Sequence, residues 1–197
     1  MVPLVVTICT FSMACNLLAY LLDKPFTYEF KRKKGKVTFR KYMTDSKLLI
    51  GLMPWGFSFI AHKTQRNDSL CYKVVTNPRR NYHFKGTIFV LTNAGTFSAA
   101  SFVAAYLKKL TPAILIGQET GGNEIGTNAM LFAFLTLPET KILLRLPLYR
   151  ISHGLSIEHT GKGVMPAIEI NYTVADKLAK IDKELEKIYD LLKQENN

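Results

Sequence analysis

A serine hydroxyl gains most as a nucleophile where a strand ends in a turn and a helix begins, and Ser98 has the setting for it. Thr87 to Thr92 is a short apolar run rich in β-branched and aromatic residues, which predicts a buried strand. Asn93-Ala94-Gly95 is turn chemistry. Ser98 to Lys109 is helix-compatible, with Phe102, Val103, Tyr106 and Leu107 as its apolar stripe. The first N–H groups of a helix have no intrahelical partner and the dipole there favours negative charge, so they suit the oxyanion of an acyl transfer. The backbone N–H of Ala99, next after the serine, is the expected donor. Ser98 or Thr96 simply capping the helix is the plainer reading of the same geometry, because caps far outnumber nucleophiles.

The elements around this turn follow from simple signals. Lys108 and Lys109 sit in the last turn of the helix, favourably for its dipole, and Pro112 stops it. Ala113 to Ile116 predicts a second buried strand, so strand, helix and strand imply a parallel, right-handed crossover. That crossover places the loop Gly121 to Asn128 beside the helix N-terminus. Met130 to Leu137 and Lys141 to Leu148, joined through Pro138-Glu139-Thr140, read as a hairpin, and Val164 to Ile170 as the strand that closes the sheet. Thr173 caps a final helix with Asp176 three residues on. Leu178, Ile181, Leu185, Ile188 and Leu192 form one apolar stripe along it.

The wording of these segments resembles the C-terminal-processing (tail-specific) serine peptidase family. Gly95-Thr96-Phe97-Ser98 and Glu119-Thr120-Gly121-Gly122 are similar to its tricorn-like branch, and Gly163-Val164-Met165-Pro166-Ala167-Ile168-Glu169-Ile170 resembles its closing strand. The motifs stand in the family's order over roughly residues 85 to 192, with a looser match over 12 to 84. The resemblance implies an α/β fold, a mixed sheet with packed helices in a Clp protease/crotonase-like core. It also implies acyl transfer through Ser98, a protein or peptide substrate, and a place in the bacterial periplasm or cell envelope.

The chain departs from the family in two places. Relatives carry Asp-x-Arg-x-Asn-x-Gly-Gly at the end of an early strand, whereas Thr7-Ile8-Cys9-Thr10-Phe11 has no glycine. Relatives with a Ser–Lys dyad carry a lysine where Asn123 stands, and a serine needs a base to take its proton. Tricorn relatives use a histidine that lies upstream of everything in this chain. His153 and His159 flank the loop before the closing strand, Glu158 sits where tricorn-like members place a glutamate, and Glu119 belongs to the Glu-Thr-Gly-Gly motif. Each is also an ordinary surface or loop-capping residue type. Glu119, Glu158 and His153 are carried forward as candidate base or orienting residues. His62 and His83 are read as structural.

At 197 residues the chain predicts one domain, 1–197, read as a partial peptidase catalytic domain truncated at its N-terminus. Its 48% hydrophobic and 21% charged residues are ordinary globular usage. Much of the net charge of +11 comes from Lys31, Arg32, Lys33, Lys34, Lys36, Arg40 and Lys41. Tyr28, Phe30, Val37 and Phe39 interleave with them around Gly35, which predicts a solvated two-stranded hairpin, and no nucleic-acid motif accompanies it. Three cysteines without metal spacing predict neither a disulfide framework nor a metal site, and no phosphate loop is present, so no cofactor is expected. Val2 to Leu22 carries no charge. An export or membrane segment and a strand, Leu4 to Cys9, followed by a helix, Ser12 to Leu22, both fit it; the β-branched residues after Pro3 favour the second. Against the peptidase stands a family member without activity that binds peptide by strand addition. A homo-oligomer is open in either case.

Overall fold

The computed structural model describes residues 11–33, 43, 62–66, 68–155 and 161–195. In chain order the elements are α1 (Phe11–Leu21), β1 (Phe26–Lys33), β2 (His62–Arg66), β3 (Ser69–Thr76), β4 (Phe89–Thr92), α2 (Ala99–Leu110), β5 (Ile114–Gly117), β6 (Gly126–Thr136), β7 (Leu143–His153), β8 (Ile168–Glu169), α3 (Val174–Leu178) and α4 (Lys183–Glu195). The chain divides into two compact units, Met1–Asp23 with Pro78–Glu124 and Ile157–Asn197, and Lys24–Asn77 with Ile125–Ser156.

The first unit is built on three parallel strands in the order β4-β5-β8. Phe89 pairs with Ile114 and Thr92 with Gly117, which is the parallel register expected of the strand–helix–strand crossover. The crossover helix α2 is buried at every residue from Ala99 to Leu107, a wider face than its stripe of large residues suggested. Ala99, Ala100, Ala104 and Ala105 make this feasible, because small side chains let neighbours approach from the remaining sides. The helix α1, foreseen over Ser12 to Leu22, packs against α2 with Phe11 edge-on to Phe102 at 4.8 Å. Leu18, 0% exposed, gains about 1.5–3 kcal/mol by leaving water. His83 Nε2 lies 2.8 Å from an Asp23 carboxylate oxygen, a partner that suits its structural reading. The expected closing strand shrinks to Ile168–Glu169, although Ala167 and Ile170 also donate to the carbonyls of Leu115 and Gly117.

The single final helix expected from the apolar stripe is two helices. Thr173 and Asp176 form the foreseen capping box at the head of α3. The helix then stops, because Lys180 adopts a left-handed backbone (φ 54°) and the Ile181 N–H turns back to the Asp176 carbonyl at 3.1 Å. Asp182 next accepts from the Leu185 N–H at 2.9 Å and opens α4. Local capping thus outweighs the periodicity: Leu178 is 79% exposed, while Ile188 is buried against Phe89 and Ile116.

The second unit is a five-stranded antiparallel sheet in the order β2-β3-β1-β7-β6. Here β1 is not one arm of a free basic hairpin. Tyr28 to Lys31 pair with β3 on one side and β7 on the other, so both edges of that stretch are taken. The alternation of Phe26, Tyr28 and Phe30 explains it: all three face inward and are buried. The expected hairpin of Met130–Leu137 with Lys141–Leu148 is β6 with β7, longer at both outer ends. Met43, Ala133 and Leu135 form a small core beneath it. The expected strand Leu4 to Cys9, the apolar run Leu48 to Ile60 and the second half of the basic hairpin lie outside the described residues. Among the described residues no helix is long and apolar enough to cross a membrane.

Candidate active site

Ser98 sits between β4 and α2 with φ 53° and ψ −112°. A side chain there strains the backbone by about 1–3 kcal/mol, and such strain persists only where the surroundings over-determine the bend. They do so here. Asn93 accepts the Gly95 N–H on its side chain at 2.8 Å and the Thr96 N–H on its carbonyl at 2.8 Å. Thr96 Oγ1 accepts from the Asn93 N–H at 3.0 Å, and the Thr96 carbonyl accepts from Ser101 Oγ at 2.7 Å. The half-exposed serine makes no side-chain cap bond, and the Thr96 hydroxyl is turned back into the loop, so neither carries out the plain capping role. Ala99 is the first residue of α2, which leaves its N–H in the turn without a helical acceptor. Phe97, 62% exposed, stands at the lip.

The Glu119-Thr120-Gly121-Gly122 segment closes over this bend. A Cβ on Gly121 would be driven into the Ala94 carbonyl oxygen, and one on Gly122 would strike Ser101 Oγ and lie 2.8 Å from the Ser98 nitrogen. The Gly122 N–H donates to the Thr96 carbonyl at 3.1 Å. Buried Thr120 ties the segment to the closing motif: its hydroxyl donates to the Gly122 carbonyl and accepts from the Val164 N–H, both at 2.8 Å. Glu119 accepts the Gly163 N–H at 2.7 Å on its carboxylate. The three motifs that stood apart in the sequence therefore form one hydrogen-bonded assembly. Beyond Gly122 the chain runs along α2. Asn123 bridges Gly163, and Glu124, 6% exposed, lies 3.8 Å from the Lys108 ammonium two helical turns beyond Ser101. That Lys108–Glu124 pair was not foreseen, because nothing in the spacing marks a buried carboxylate.

Beside the serine bend a cleft of about 800 Å³ opens, its lining including Thr96, Phe97, Ala100, Tyr172 and Ile181. Burial, and then a hydrogen bond to the Glu184 carboxylate, push the Tyr172 phenol above its ordinary pKa, which keeps it a donor. Of the remaining candidates, Ser98, Ala99 and Glu119 share this unit and its network. His153 belongs to the other unit, where it is buried at the end of β7 opposite Tyr28. Glu158 and His159 lie outside the described residues. Among the described residues no three His, Cys, Asp or Glu side chains stand together as a metal site would need.

The sequence profile of peptidase family S41 matches residues 11–170. The chain belongs to peptidase family S41. This bears out the resemblance to the C-terminal-processing serine peptidases, a family that acts on proteins or peptides. No curated protein sequence matches the chain. Among solved structures, this S41 chain is similar to a candidate peptidase from Parabacteroides merdae, at 17% identity and a TM-score of 0.60 over 93% of this chain and 48% of that one. It is also similar to mature CPAF complexed with lactacystin, at 17% identity and a TM-score of 0.54 over 93% of this chain and 42% of that one. The chain therefore spans less than half the length of either structure. Their likeness bears out the α/β fold and its Clp protease-like core.

Proposed function

We propose that this S41 chain is a serine endopeptidase of the C-terminal-processing type, cleaving peptide bonds by acyl transfer through Ser98. The observation that carries the reading is the strained backbone of Ser98 at a strand-to-helix bend. Attack of Oγ on the scissile carbonyl carbon forms the tetrahedral intermediate, and the N–H of Ala99 meets its oxyanion. Collapse expels the amine with the proton that a base took from Oγ, and water, deprotonated by the same base, then releases the acyl group and returns Oγ to its hydroxyl. His153 and Glu158 are the candidates for the base. Glu119 is assigned an orienting role, because its carboxylate already holds the Gly163 N–H. A fluorophosphonate probe tests the reading. Labelling of the intact chain that disappears in Ser98→Ala supports it, and an unlabelled intact chain overturns it.

A second reading has its own support. Asn123 stands where dyad members have lysine, and its backbone is bridged to Gly163. A chain without activity would instead bind peptide by strand addition, along β4, which pairs only with β5 among the described residues. The resemblance also supports the bacterial periplasm or cell envelope as the compartment, which cell fractionation tests. A homo-oligomer is tested by light scattering.

A further inference from the structure

The net charge of +11 is not spread evenly. The unit built on the five-stranded sheet, Lys24–Asn77 with Ile125–Ser156, carries fifteen Lys and Arg against four Asp and Glu, while the unit that holds Ser98 carries eleven of each. All of the excess positive charge therefore belongs to the sheet unit. Its hairpin β6–β7 is unusual in a second way. From Leu143 to Tyr149, β7 pairs with β6 alone among the described residues, so the outer part of the hairpin runs on past β1. Every residue from Pro138 to Arg145 is exposed, with Ile142 at 54% and Leu143 at 58%.

Ile142-Leu143-Leu144 is thus an aliphatic run left in water at a hairpin tip, with Lys141 before it, Arg145 behind it and Glu139 as the acid of the turn. Strand alternation sends Leu143 and Leu144 to opposite faces, so a partner packed on one face of the sheet would cover only one of them. Arg145 lies over the Phe132 ring at 3.8 Å, which keeps its guanidinium next to the tip. β1 adds charge toward the same end: Lys31 pairs with Arg150, and Arg32 and Lys33 follow in the direction of the tip.

We infer that this hairpin docks the sheet unit on an anionic lipid surface, with Ile142, Leu143 and Leu144 entering the headgroup boundary and Lys141 and Arg145 meeting lipid phosphates. An aliphatic tip exposed on both faces fits a medium that closes around it, as a bilayer boundary does and the phosphate backbone of a nucleic acid does not. The cations behind the tip strengthen the attraction over about 10 Å at 0.1 M salt. Nothing in this inference depends on chemistry at Ser98.

Co-sedimentation of the full chain with lipid vesicles tests it. Vesicles of phosphatidylcholine with about one-third phosphatidylglycerol should bind the chain at least about tenfold more tightly than pure phosphatidylcholine, and the difference should shrink as salt is added. Ile142→Ser with Leu143→Ser changes only exposed positions, so it should melt with the parent and lose at least about tenfold in binding to the anionic vesicles. Leu143→Gln alone should move in the same direction. Lys141→Asn, at a left-handed position that asparagine accepts, should weaken binding and its salt dependence without lowering the melting temperature. Ser98→Ala should bind as the parent does. No binding to either vesicle, equal binding to both, or anionic binding that survives both the serine pair and Leu143→Gln overturns the inference. A chain that binds duplex DNA but not the vesicles also overturns it, and assigns the charge to nucleic acid instead.

Discussion

Gly122 stands so close to Ser98 that a Cβ on the glycine would lie 2.8 Å from the serine nitrogen while striking Ser101 Oγ. The Glu-Thr-Gly-Gly motif is therefore a clamp on the back of the serine bend. Gly122→Ala should displace that bend, lowering stability by about 1–3 kcal/mol as overpacking does. Fluorophosphonate labelling should fall with it. Urea denaturation and labelling on the same preparation check both, and a variant that is unaltered in both would show the contact to be slack.

Strain at Ser98 gives a prediction of opposite sign for stability. Ser98→Gly should raise the unfolding free energy by about 1 kcal/mol, because glycine occupies φ 53° without steric cost. Ser98→Ala should not. Both should abolish labelling. Equal melting temperatures for the two variants would mean that the bend stores no strain.

Glu119 separates orientation from proton transfer. Glu119→Gln retains an oxygen for the Gly163 N–H and should keep most of the stability and labelling, whereas Glu119→Ala should lose about 1–3 kcal/mol. A Gln variant that is fully stable yet unlabelled would make Glu119 the base.

Asp176 is held at about 2, below its ordinary 3.8, chiefly by the Thr173 backbone N–H, with the Thr173 hydroxyl and the Lys183 ammonium adding to it. A lowered native pKa means that the stabilisation is present above pH 3.8 and is lost as pH falls through about 2. NMR titration should show the Asp176 carboxyl and the Thr173 amide shifting together in that window. A midpoint at the ordinary aspartate value would show the capping box to be open in solution.

The C-terminal helix α4 is joined to the sheet by Ile188, buried against Phe89 and Ile116. Ile188→Ala should cost about 2–5 kcal/mol in chemical denaturation. A cost near zero would mean that α4 contributes little to the fold.

The strand–turn–helix around Ser98 was legible because its signals are local: a β-branched run, an Asx turn and an apolar helix, each decided within a few residues. The capping box at Thr173 was legible for the same reason. The break after Leu178 was not, since the apolar period runs on through Ile181 and only the cap at Asp182 and the left-handed Lys180 interrupt it. Nor was the central position of β1, because its alternating aromatics suit a sheet interior and a hairpin face equally until its neighbours are known. In the site, Ser98 could be read from local chemistry. The grip of Glu119 on Gly163 spans 44 residues of chain, and no short-range pattern encodes a contact at that distance.

The turn between α3 and α4 also frees the two helices from a common phase. In an uninterrupted rod, every residue added ahead of Ile188 would swing it by about 100° around the axis and pull it off the strands. With the rod cut at Lys180, a length change between Ala179 and Ile181 can be absorbed by the joint, and the anchor keeps its heading. That stretch should accept grafted sequence, a tag or a spacer, with little disturbance to the packing of α4 on the strands.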